Sequence, residues 1–201
     1  MNKLQPIALA TLLALGLASG AQAQTTTAPA DTSQNTSTRA TVPEADRDFI
    51  KAAAESGHAE VQAARMAVAK STNAEIKKYA QMLIDDHTKA NAKLAQIAKS
   101  KNVSLPKEPS LMQKGKLQLL KRADGVDFDK RFTEDMGVDA HRKVIELFRE
   151  EVANGRDPEV KAFAQETLPK LEQHLEMAQK LQNQTDKRDS DVNNKVNAPA
   201  K

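Results

Sequence analysis

The chain has no cysteine. Disulfides, thiol catalysis and cysteine-held metal or iron–sulfur centres are therefore excluded, as is lipid attachment at a lipobox cysteine. Tryptophan is absent too, and there are only one tyrosine and five phenylalanines. A nucleic-acid binder shows stacking aromatics and a basic face, so no nucleic-acid partner is expected. Long apolar runs are also missing. The one candidate, Ile7 to Ala18, falls short of the ~20 residues that a membrane span needs.

That short run fits a secretory signal over residues 1–23. Lys3 supplies the positive start, and Ala21-Gln22-Ala23 has the small-x-small form of a cleavage site. Cleavage after Ala23 predicts an exported, periplasmic chain with no integral span left after processing. Losing Lys3 takes the 30 basic residues to 29 against 27 acidic ones, a net charge of +2. Residues 24–43 are polar, Thr- and Ala-rich, and read as a flexible linker. Residues 184–201 read as a disordered polar tail. The folded domain is expected over residues 44–183.

What is present is helical periodicity. Four long helices are predicted, over about 44–70, 72–99, 127–154 and 158–183. Thr72 and Glu75 have the spacing of a capping box at the start of the second. Asp157-Pro158 gives a cap and a proline at the first position of the fourth. In the first helix the apolar stripe is Ile50, Ala54, Gly57, Val61, Ala64 and Val68. Such spacing suits helices packed nearly parallel in a bundle. The first pair and the last pair are joined by tight turns. Between the second and third helices lies a link long enough to travel the length of the bundle, with an amphipathic piece at Leu111 to Arg122. The fold class expected is all-α, a ferritin-like four-helix bundle with a long crossover between the second and third helices; an up-down-up-down bundle is the alternative. The amphipathic piece is expected to pack on the bundle rather than bind a membrane surface.

Each predicted helix carries one histidine: His58, His87, His141 and His174. The last three occupy stripe positions, and His58 flanks its stripe by about 80°. All four fall near mid-helix. Counted from the first turn, His58 and His87 differ in height by only about 4–5 Å at ~1.5 Å rise per residue. Glu60 flanks the first stripe on its other side, and Asp86 precedes His87. Imidazoles and carboxylates converging in a bundle core are the chemistry of a transition-metal site for zinc, copper or iron. The candidate ligands are His58, His87, His141, His174, Glu60 and Asp86. Two glycines, Gly57 and Gly137, sit inside helices at ~1 kcal/mol each, a cost that makes room for a neighbour.

Two other readings stay open. A polar histidine layer also suits a metal-free structural or interaction module with a protein partner in the cell envelope. An iron-dependent oxidase is disfavoured: di-iron bundles carry Glu-x-x-His on two helices, whereas Ile84 and Leu171 precede His87 and His174 by three. No P-loop, dinucleotide fingerprint or serine-nucleophile motif occurs, and no catalytic residue is assigned.

The blocks DFIKAAAESGHAEVQAARMA, AQMLIDDHTKAN, DAHRKVIELFREEV and VKAFAQETLPKLEQHLEMAQKL resemble the bacterial exported family known as domain of unknown function 4142. The resemblance covers about Asp46 to Leu181. It implies a ferritin-like bundle in the periplasm, with Glu60, His87, His141 and His174 as motif positions. A role in envelope homeostasis or stress follows from that location, and no activity comes with the family name.

Overall fold

The computed structural model describes residues 41–196. The signal peptide, most of the linker and residues 197–201 lie outside the described residues. Among those described, the chain is all-helical. Helix α1 spans Glu44–Lys70 and α2 spans Ala74–Ser100. After α3 (Leu111–Arg122), α4 (Gly125–Arg131) runs through a π-helical segment (Phe132–Asp139) into α5 (Ala140–Asn154) as one rod. Helix α6 spans Pro158–Val196.

Local chemistry sets the ends. Asn73 caps α2, its Oδ1 accepting from the Glu75 amide at 2.9 Å. This places the cap one residue after the expected Thr72. Ser71 Oγ accepts from the Asn73 amide in the same turn and so holds it. Asp157 Oδ1 accepts from the amides of Glu159 and Val160 at the start of α6, as its place before Pro158 predicts. The complete capping box lies instead at α3, between Ser110 and Gln113.

The contacts at the two ends decide the topology. Lys70, closing α1, donates to the carbonyls of Lys121 and Ala123, and pairs with Asp124 at 2.9 Å. The start of the α4–α5 rod therefore sits beside the α1–α2 turn. At the other end, Asp46 accepts from the amides of Arg156 and Asp157, just past α5. The rod thus runs antiparallel to α1 and parallel to α2, and the link carrying α3 crosses the full length. The up-down-up-down alternative is ruled out. Helix α3 buries Leu117 and Leu120 against the bundle and leaves Leu111, Met112 and Leu119 exposed.

Two readings need correction. The expected linker does not stay clear of the core to residue 43: Val42 is buried, and its carbonyl accepts from Arg47. Nor does the last helix end near Asn183. It continues to Val196 because α4 gives it something to bind. Thr185 is buried with its hydroxyl 3.2 Å from that of Thr133, and Arg188 pairs with the buried Asp129.

The apolar core is divided. One cluster is built on Ala63, Ile76, Leu83, Phe128, Phe132 and Ala178, the other on Ile50, Leu94, Ile145, Phe148, Phe163 and Leu171. Each Ile, Leu or Phe among them contributes ~1.5–3 kcal/mol by its burial. On α2, on the rod and on α6, a histidine stands between the two clusters: His87, His141 and His174.

A further buried acid lies at the Asp46 end. Glu151 is 5 % exposed, and burial, with Asp46 and Asp157 nearby, raises its pKa from 4.5 to about 7. The folded state therefore holds this proton to higher pH than the unfolded chain. Glu151 should cost no stability below 4.5, with a penalty growing up to about 7. Glu151→Gln keeps the neutral form at every pH. Urea unfolding should show it little changed near pH ~4 and stabilised by about 1–2 kcal/mol near pH ~8. An equal effect at both pH values would refute the account.

Candidate metal centre

Helix α1 buries a face running Ala53, Gly57, Glu60, Ala64 and Ala67. This is rotated from the expected stripe, for Val61 and Val68 are only partly buried. The rotation brings Glu60 inward, to 2 % exposure. His58, 200° away at 100° per residue, is carried off to the side. Its Nε2 lies 3.2 Å from the carbonyl of Pro106 in the crossover. His58 is thus corrected from candidate ligand to loop contact.

The other three histidines converge. A ligand nitrogen from each of His87, His141 and His174 lies within 4.8 Å of the others, and all three residues are buried. His141 is held by the π-helical segment. Its Nδ1 is 3.3 Å from the Met136 carbonyl, five residues back. A carbonyl only accepts, so Nδ1 carries the proton and Nε2 presents a lone pair. His174 Nε2 is 3.0 Å from Asp86 Oδ2, so this nitrogen donates and Nδ1 is bare. Asp86 therefore stands behind a histidine, where it would orient a ligand rather than be one. Lys170 pairs with its other oxygen.

Electrostatics sharpen the picture. Burial pushes the Glu60 carboxyl up, but the imidazoles of His87 and His141 more than reverse this and hold it at about 2. Burial alone would lower the His87 pKa, yet the Glu60 carboxylate beside it keeps it above the ordinary value. Glu60 Oε2 and His87 Nε2 approach to 2.5 Å, but their angles fall outside hydrogen-bond geometry. Burial lowers the pKa of His141, and burial with His87 brings His174 to about 4, so both are neutral.

His141 Nε2 and His174 Nδ1 then face one another at 3.4 Å, each with its proton on the other nitrogen. Two lone pairs repel at that distance unless a cation sits between them. Two ligands of a tetrahedral zinc, each ~2.0–2.1 Å from the ion, stand about 3.3 Å apart. The donor set is three imidazoles and one carboxylate, suited to zinc, copper or iron. Glu60 Oε2 is 3.9 Å from His141 Nε2 on the same side.

Sequence reasoning missed the Met136 carbonyl. Met136 and His141 are both buried, five residues apart across the end of the π-helical segment, and a step of five is what a π turn brings onto one face. Gly137 accompanies it, and a Cβ there would stand 2.9 Å from Ala178 Cβ of α6. Gly57 makes room as expected: a Cβ there would stand 2.8 Å from Asn91 Cγ of α2.

Fold and site together define an all-helical bundle with a three-histidine cluster buried at mid-height. The family described as a domain of unknown function (DUF4142) matches residues 30–181, and the chain belongs to it. No curated protein and no solved structure matches.

Proposed function

We propose that this protein is an exported, periplasmic ferritin-like four-helix bundle that binds one transition metal through His87, His141, His174 and Glu60. The reading is carried by the facing lone pairs of His141 Nε2 and His174 Nδ1, 3.4 Å apart. Each is fixed in that tautomer by a separate acceptor, Met136 O or Asp86. In the histidine layer of a metal-free scaffold, the second nitrogen would instead carry a proton to a partner. The crossover topology and the family support the ferritin-like assignment. The role we assign is in metal homeostasis or stress in the cell envelope. Zinc, copper and iron all suit the donors. Ile84, Val138 and Leu171 stand three before the converging histidines, and the lack of Glu-x-x-His there argues against two-iron oxygen chemistry.

Metal content by mass spectrometry tests this. The untagged mature protein would be isolated from the periplasm with neither metal nor chelator added. A near-stoichiometric transition metal is expected. Metal-free protein that also fails to take up zinc, copper or iron in titration would end the reading.

A further inference from the structure

The packing of α3 on the bundle uses only one of its faces. Leu117 and Leu120 are buried on that side. At about 100° per residue, Leu111, Met112, Gly115 and Leu119 fall within one arc of about 100° on the opposite side. Leu111 is 86 % exposed, Met112 72 % and Leu119 55 %. These are the exposed large apolar side chains among the described residues, and all three belong to this one helix. Single exposed leucines are ordinary, but three on one face of a short helix form a patch.

The same helix is basic. It carries Lys114, Lys116, Lys121 and Arg122, and no acidic residue. Arg122 falls within the apolar arc, with Lys116 beside it on one edge and Lys114 and Lys121 on the other. Acids bordering the helix are already engaged: Glu108 pairs with Lys114, Asp135 with Lys116 and Asp124 with Lys70. Lys121 and Arg122 are both exposed.

The rest of the chain has nothing apolar with which to cover this face. Residues 24–40 and 197–201, the remainder of the expected mature chain, contain no Leu, Ile, Val, Met or Phe. A second copy is disfavoured by charge, since a two-fold contact would set the basic helix against its own like. A bilayer with anionic headgroups is complementary to both properties. Apolar side chains enter the acyl boundary, and the cations beside them meet phosphate. No described helix is long and apolar enough to cross a membrane, so such a contact is made at the surface.

We infer that α3 docks the bundle on an anionic phospholipid bilayer. Leu111, Met112 and Leu119 insert, and Lys121 and Arg122 lie on the headgroups. The inference is independent of the metal reading. Gly115 sits in the middle of the inserted arc, and a Cβ there would meet nothing within 4 Å. Nothing in the bundle therefore requires a glycine at that position, and a larger side chain has room on the membrane face.

Co-sedimentation of the untagged mature protein with vesicles tests this. Retention is expected on phosphatidylglycerol mixed with phosphatidylethanolamine, not on phosphatidylcholine, and should weaken as salt rises. Leu111→Gln combined with Leu119→Gln should weaken binding about tenfold or more. Lys121→Gln combined with Arg122→Gln should do the same, at roughly fivefold per charge. Gly115→Leu adds apolar surface and should tighten binding by about threefold or more. Every substituted position is exposed, so far-ultraviolet circular dichroism should show the helices intact in all of these variants. No retention of the wild type on the anionic vesicles would overturn the inference. Equal retention of the wild type and both weakened variants would overturn it as well, by placing the contact elsewhere. Without retention, self-association that the two leucine substitutions abolish would assign the face to a second copy instead.

Discussion

His141→Ala is expected to lower transition-metal affinity by more than about a hundredfold while the helices persist. His141 is fully buried, and its Nε2 has no anion closer than Glu60, at 3.9 Å. Its removal takes away a donor without stranding the Glu60 carboxylate, which keeps His87. Loss of metal will therefore not be confused with loss of fold, as it would be for His87, whose removal leaves Glu60 buried and unpaired. Asp86→Asn should have a milder effect, about 10–100-fold, because it loosens the orientation of His174 and keeps every donor. Isothermal titration with zinc, alongside far-ultraviolet circular dichroism, would read both. A His141→Ala variant that binds zinc as tightly as wild type would sink the assignment of this cluster.

Truncation after Asn183 is the second large effect, costing about 2 kcal/mol or more. The segment removed includes Arg188, whose Nη1 lies 3.2 Å from Asp129 Oδ2. Asp129 is 1 % exposed, and its Oδ1 already lacks a partner. Arg188 is 41 % exposed, so the pair is half-buried and its loss is expected to cost about 1–2 kcal/mol, less than the ~3–5 kcal/mol of a pair buried on both sides. The truncation also removes Thr185 from Thr133. Arg188→Met, which keeps the helix and loses only the charge, should account for most of the loss. Urea unfolding of the two variants decides the matter. Unchanged stability in both would mean that residues 184–196 add nothing to the fold.

The tail shows where reading a sequence stops. Residues 184–196 are polar but for Val192 and Val196, and no apolar stripe marks them as part of a core. They are helical because Asp129, distant in sequence, offers a buried charge for Arg188 to meet. Polar pairing of that kind leaves no period to detect. The crossover is a related case. Its length permits travel from end to end, but only the contacts of Lys70 with Ala123 and of Asp46 with Asp157 establish that the chain makes the journey.

The sequence by itself determined where the four long helices lie, apart from the end of the last, together with the Asp157 cap and the common height of the histidines. These depend on local rules: spacing at 3.6 residues per turn, side chains that satisfy free amides, and a fixed rise per residue. Which residues would meet was decided by the tertiary structure. Glu60 and His58 flank the same stripe on opposite sides, and only one of them can face the core. Rotation of α1 about its own axis chose Glu60, and that rotation depends on how Ala53, Ala64 and Ala67 pack against three other helices. The π-helical segment, in turn, set His141 against the Met136 carbonyl and turned its free nitrogen toward His174. Periodicity specifies which face of a helix is apolar; only packing specifies where that face points.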